Sequence, residues 1–187
     1  MWVQKLLAAT GRDSGCFGMD WRRAEGELGT RLPADYKALC EAFGVGVFSR
    51  FVEIMAVDEE GGPDDLVRHW KRRLEGTRSG LLAGSARSLY APYRLYEPGS
   101  GGLIEWASAE GRELFFWLAD DGDPGSWPVL VHVPDAPPGE WLRYEMPATE
   151  FLYRLLTEAD FGPFPPVAQV FPRPRFETLD EVWTQPL

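Results

Sequence analysis

Between Gly102 and Val131 the chain reads GLIEWASAEGRELFFWLADDGDPGSWPVLV, and this stretch constrains the fold more than any other. Two short runs dominated by apolar and aromatic residues, Leu103 to Trp106 and Leu114 to Leu118, are separated by Ala109, Glu110, Gly111 and Arg112. Large aromatic side chains suit a pleated, half-buried surface, and a short spacer with Gly suits a chain reversal, so the pair predicts a β-hairpin. Asp120, Asp121, Gly122, Asp123, Pro124 and Gly125 then supply residues that take φ > 0 or fix φ, which predicts a turn. Trp127, Pro128 and Val129 open a third run through Val133. The result is an antiparallel meander in which no nucleophile and no general base stand out.

Upstream, helix signals dominate. Asp20 is placed to cap a short amphipathic helix carrying Trp21, Ala24, Glu25 and Leu28, with Gly29 as its stop. Pro33 suits a first helical turn, and Tyr36, Leu39, Cys40 and Phe43 recur at i, i+3, i+4 and i+7, one apolar stripe that ends at Gly44. Val47 to Val57 reads as a strand. A further helix begins near Pro63, Asp64 and Asp65, with Leu66, Val67, Trp70 and Leu74 on one side and Gly76 after it. Acids lead this helix and Lys71, Arg72 and Arg73 trail, which complements its dipole; that match favours a solvated face over a nucleic-acid patch, because the neighbouring acids cancel the basic field. Residues 77–92 read as a loop, Tyr93 to Tyr96 as a weak strand, Pro98 to Gly102 as a turn, Trp141 to Tyr144 as a last strand, and Phe151, Leu152, Leu155 and Leu156 as one side of a helix.

The 187 residues, 44% hydrophobic with 25 aromatics, suffice for one core without a metal or disulfide staple. Cys16 and Cys40 are too few for a disulfide framework, which points to the cytoplasm, and Cys40 on its stripe reads as a small buried hydrophobe. The first residues have too short an apolar run for a signal peptide, and no stretch approaches the ~20 apolar residues of a membrane span. The net charge of −10 is unevenly placed: residues 1–100 hold 14 basic and 14 acidic groups, residues 101–161 hold 3 and 12, and residues 162–187 hold 2 and 3. An excess of −9 in the meander half repels nucleic acid and anionic lipid and attracts basic proteins, although solubility alone also accounts for acidity.

Familiar catalytic signatures do not occur. His69 and His132 fall in different elements and make no metal pair, each reading as a surface or half-buried residue. There is no Gly-x-Ser-x-Gly elbow, P-loop or paired CxxC. Gly44, Val45 and Gly46 follow a helix where a dinucleotide fingerprint follows a strand. Asp120, Asp121 and Asp123 lack the alternate ligands and distal Glu of a Ca²⁺ loop, so a tight acidic turn is preferred. No cofactor or metal is expected.

The same residues carry a resemblance. The order apolar-Trp, Gly, Phe-Trp-Leu, Gly-Asp-Pro, Trp-Pro-Val, then Glu-Phe-Leu at Glu150, Phe151 and Leu152, resembles the SUKH superfamily, which includes a yeast cell-wall-synthesis regulator and many bacterial immunity proteins. Trp21, Glu25, Leu28 and Gly29 followed by Leu32, Pro33, Asp35, Tyr36 and Leu39 are similar to that family's opening pattern, and Phe43, Gly44, Gly46 and Phe48 continue it. Residues 144–149 depart from it, with Tyr144 to Thr149 where relatives have a polar turn and a small N-cap. The resemblance covers residues 19–161, leaving 1–18 as an N-terminal extension and 162–187 as a C-terminal tail. It implies a non-enzymatic domain that neutralises a toxin by stoichiometric occlusion, or alternatively a regulatory scaffold that docks partners through the domain and its proline-rich tail.

Together these readings predict a single α+β domain, a twisted antiparallel sheet of about five or six strands with helices on one face and at the rim. Pro163, Pro165, Pro166, Pro172, Pro174 and Pro186 argue against regular helix in the tail, while Phe164, Val170, Phe171, Phe176 and Trp183 predict that it lies extended against the domain; Pro163 to Pro166 as a polyproline ligand is the alternative. Trp21, Trp106, Trp117 and Trp127 are expected to be structural. The charge arithmetic nominates Asp120, Asp121, Asp123, Glu140 and Glu145 as an anionic surface for a basic toxin domain of nuclease or deaminase type, with Trp127 or Trp141 as its anchor if exposed.

Overall fold

In the computed structural model, the residues described are 1–57, 62, 65–79, 89–110, 112–134, 136–137, 139–162 and 167–184, without the side chains of 180, 183 and 184. The elements run α1 (Trp2–Thr10), α2 (Trp21–Leu28), α3 (Ala34–Phe43), β1 (Gly46–Phe48), β2 (Val52–Ile54), α4 (Leu66–Arg78), β3 (Gly102–Ala109), β4 (Leu114–Ala119), β5 (Val129–His132) and β6 (Leu142–Tyr144). The C-terminal part adds α5 (Ala148–Thr157), α6 (Val167–Val170), β7 (Phe176–Thr178) and α7 (Leu179–Thr184). The fold is α+β, built on one antiparallel sheet of seven strands in the order β6-β5-β4-β3-β2-β1-β7. Six strands are therefore a plain meander, and the seventh comes from the tail.

The helix signals work as their chemistry requires. Asp20 accepts from the Arg23 backbone N–H and caps α2, Asp65 does the same for α4 through Arg68, and Gly29 ends α2 in the left-handed region at φ 69°. Pro33 sits one position before α3, at its N-cap. Helix α4 runs past Gly76 to Arg78 with Leu66, Val67, Trp70 and Leu74 buried; Pro63 and Asp64 lie outside the described residues.

Helices α1, α3 and α5 cover one face of the sheet. Trp106, Phe115 and Trp117 from β3 and β4 meet Phe151 of α5 and Tyr36 of α3, with ring centroids 4.7 to 6.3 Å apart. Trp106 is the extra residue of a bulge between Glu105 and Ala107, and it shares the face of Ile104, opposite Trp117, so its ring lies against Phe115 and Trp117. Residues 1–18 contribute to the same core: Val3, Leu6 and Leu7 are buried, and Trp2 packs 5.5 Å from Tyr153 of α5. From the rim, α4 reaches the opposite face of β3.

Three local expectations are corrected. Val47 to Val57 is a hairpin, not one strand, because Ser49 and Arg50 both adopt φ 51° and Phe51 N–H closes the turn on Phe48 C=O. Tyr93 to Tyr96 is no strand; Leu95 makes only an isolated bridge to Leu103. The tail does contain helix, since its prolines leave 167–170 and 179–184 free of them, and it also supplies β7. Phe164 and Pro163 to Pro166 lie outside the described residues, as does the side chain of Trp183.

Strand β7 is admitted by a close approach. A Cβ at Gly46 would lie 2.3 Å from the Glu177 carbonyl oxygen, so β1 can pair with β7 only with glycine there. Phe176 then completes a three-ring cluster with Phe43 and Phe48, centroids 4.8 to 5.0 Å apart. The far side of β7 is closed by side chains. Arg12 Nη1 donates to the Phe176 carbonyl at 2.8 Å and pairs with Glu181 at 3.0 Å, while Glu181 accepts from the Thr178 N–H at 2.7 Å.

Candidate functional site

The acidic turn between β4 and β5 is built rather than loose. Asp120 Oδ1 accepts from the Gly122 N–H at 2.8 Å and from the Trp127 indole N–H at 3.2 Å. Asp123 Oδ1 accepts from the Gly125 N–H at 3.1 Å, and its carbonyl accepts from Ser126 Oγ at 2.7 Å, closing a 3-10 turn over Pro124–Ser126. Pro124 is buried under the turn, and Trp127 is only 2% exposed with its ring 6.5 Å from Trp117. The three carboxylates are thus exposed on a platform anchored from below.

Asp120 and Asp121 line a cleft of about 720 Å³ whose other walls are Tyr93, Arg94, Gly101 and Arg143. Arg94 donates to the Ser100 carbonyl, and Arg143 Nε pairs with Glu145 Oε1 at 2.6 Å, which raises the Arg143 pKa. Beside the cleft, Trp141 donates to the Ala91 carbonyl at 2.9 Å and packs edge-on against Tyr93, Phe116 and His132. Glu140 is exposed on the loop before β6.

The nominated residues therefore divide. Asp120 and Asp121 share the cleft, Asp123 stands exposed beside them, and Trp141 is half-buried near by. Trp127 is corrected: burial of its ring and the bond to Asp120 make it the turn's support and exclude it as a surface anchor. The broad anionic surface is narrower than the charge count implies. Glu145 is paired, Arg94 and Arg143 face the two aspartates across the cleft, and Glu105 and Glu113, two of the twelve acids counted, are buried. A count along the chain registers formal charge but not which side chains reach solvent.

Sequence reasoning passed over a second cluster, on the opposite face of β3. Glu105 is 4% exposed; its Oε1 accepts from Arg73 Nη2 at 3.1 Å, and its Oε2 lies 2.5 Å from Arg73 Nε. Arg73 Nη1 donates to the Tyr90 hydroxyl at 3.0 Å, and His69 Nε2 lies 2.8 Å from Arg73 Nε and 3.2 Å from Glu105 Oε2. Burial, the largest single influence on Arg73, works to lower its pKa, but Glu105 and Tyr90 together outweigh it and raise the pKa, so the guanidinium stays charged. Burial lowers His132, helped by the Arg73 charge, so that imidazole stays neutral. A Glu inside the apolar run Leu103 to Trp106, with His69 and Arg73 at i and i+4 of a facing helix, is the signal that could have found it. The cluster ties α4 to the sheet, and its charges are engaged with one another.

Burial pushes the Cys40 thiol up to about 12, which makes it inert. Among the described residues no group of three or more His, Cys, Asp or Glu is arranged to hold a metal ion, and no helix is long and apolar enough to cross a membrane. Comparison with family models, curated proteins and solved structures finds no match to this chain.

Proposed function

We propose that this chain is a non-enzymatic protein-binding domain of the SUKH immunity type, which neutralises a basic toxin domain of nuclease or deaminase kind by stoichiometric occlusion in the cytoplasm. The observation that carries this reading is the pinned turn holding Asp120, Asp121 and Asp123 exposed beside an open cleft. Carboxylates fixed in advance cost little ordering entropy on association and steer a cationic partner toward the cleft. Arg94 and Arg143 in the cleft wall discriminate among such partners, because a surface of purely positive charge would oppose them. A hydrolase working through carboxylates finds less support, since the buried Glu105 carboxylate is spent on Arg73. The scaffold alternative ranks second because Phe176 of the tail is buried in the sheet instead of being presented to a partner.

The test is coexpression with whichever basic toxin domain a neighbouring gene encodes; a gene neighbourhood without one would count against the immunity reading. Restored growth and a purified complex of one copy each are expected, and Asp121→Asn with Asp123→Asn should slow association at low salt. Growth arrest without any complex would discard the immunity reading. Turnover of a substrate by the purified protein would discard the non-enzymatic one.

A further inference from the structure

A second concavity lies at the opposite edge of the sheet and has the opposite chemistry. It measures about 540 Å³ and is lined by Ser49, Val170, Phe171, Pro172, Arg173 and Arg175, with Arg50 and Glu177 at its rim. Its floor is fixed: Ser49 is buried, its N–H donates to the Arg175 carbonyl at 2.8 Å, and its Oγ accepts from the Arg175 N–H at 3.3 Å. Arg50 is held on Glu177 through two bonds of 3.1 Å, so the rim keeps a set geometry.

Two features point to an occupant. Val170 is 66% exposed, second only to Met1 among the large apolar side chains described, and Phe171 is half-buried beside it. An isolated exposed apolar group needs no explanation, but Val170 and the open side of the half-buried Phe171 wall one concavity together. Moreover, in a chain of net charge −10, residues 163–176 hold two arginines and no acid. Arg173 and Arg175 are both exposed at this concavity.

We propose that this groove docks an acidic linear peptide segment of a partner protein, with an apolar side chain set against Val170 and Phe171 and carboxylates on either side meeting Arg173 and Arg175. Guanidinium groups pair with carboxylates through parallel N–H bonds, and two of them on one groove match a ligand with several acids better than a lone fatty carboxylate. A basic partner, as proposed for the acidic turn, is repelled here, so the two surfaces select ligands of opposite sign and neither depends on the other.

The experiment is fluorescence anisotropy with the full chain and a labelled peptide carrying a central Phe-Leu pair flanked by Glu and Asp. Saturable binding that weakens with salt is expected. Val170→Asp, the pair Arg173→Glu with Arg175→Glu, and replacement of Phe-Leu by Ser-Ser in the peptide should each weaken it about tenfold or more. All three protein substitutions are at exposed positions, and unchanged thermal unfolding would show that the fold is kept; if one variant does not fold, amide shifts of the native chain on peptide addition, centred on Ser49 and 170–177, take its place. Absence of saturable binding, equal affinity for the Ser-Ser peptide, or shifts centred elsewhere would overturn the proposal. So would a mass that doubles with concentration and falls back on Val170→Asp, which would give the groove to a second copy of the chain.

Discussion

Trp127 and Asp120 illustrate how ring burial and one hydrogen bond together turn a residue toward the core and away from a partner. The indole N–H reaches the carboxylate at 3.2 Å only with the ring folded under the turn, where it is sealed against Trp117. Asp120→Ala removes the acceptor for both that indole and the Gly122 N–H, and we expect a stability loss of ~1 kcal/mol in urea unfolding, the scale of a lost side-chain cap. Asp121→Asn, at an exposed position, should stay within ~0.5 kcal/mol of the parent while slowing association with a basic partner. A deeper case is Trp106, fully buried, whose indole N–H has no hydrogen-bond acceptor among the described residues. Trp106→Ala should cost ~3–5 kcal/mol through the cavity it leaves. Trp106→Phe should cost much less, because it also removes a buried donor; equal losses for the two would mean that the indole N–H is satisfied in solution.

At the scale of elements, whatever was legible in the chain was local. The meander strands carry their own apolar runs, and the caps at Asp20 and Asp65 are read from the residue and its neighbours alone. The β1–β2 turn escaped because Ser49 and Arg50, neither of them Gly or Asn, take φ > 0 and leave no mark in the sequence. Strand β7 escaped for a different reason: its three residues gain their partner across some 130 residues, from Gly46 to Thr178. The acids of the candidate site were legible as turn residues, whereas Arg94 and Arg143 opposite them are brought there only by the tertiary fold. The closure of β7 should respond to acid. Glu181 is held below the ordinary glutamate range by the Thr178 N–H and then by Arg12, so it binds its proton less readily folded than unfolded. Its contribution is present above pH ~4.5 and is lost as pH falls through its folded value, so Glu181→Gln should flatten the acid limb of the stability curve there.

For the molecule as a whole, the two faces of the sheet differ in character, and so does their response to pH. The face under α3 and α5 is an aromatic core, while the face under α4 holds Glu105, Arg73, His69 and His132. His132 has a folded pKa below its unfolded 6.5, so the unfolded chain takes up more protons between the two values and stability falls as pH drops below about 6.5. His132→Gln should remove that first step in thermal unfolding measured across pH and leave the lower step, assigned to Glu181, in place. Two separate steps in the parent, one lost in each variant, would assign the groups; one unchanged step in both would refute the assignment.

The glycine at position 46 has a kinetic corollary. The β1 edge that it opens is synthesised well over a hundred residues before the Phe176–Thr178 segment that fills it, so a nascent or refolding chain completes six strands around a vacant register. Until β7 arrives, Phe43 and Phe48 lack their third ring, and a bare strand edge beside exposed aromatics is a template for intermolecular pairing. Refolding should then show a late step, slowed by Arg12→Ala and eliminated when the chain is cut after Phe161, and the shortened chain should aggregate at concentrations where the full one remains dispersed.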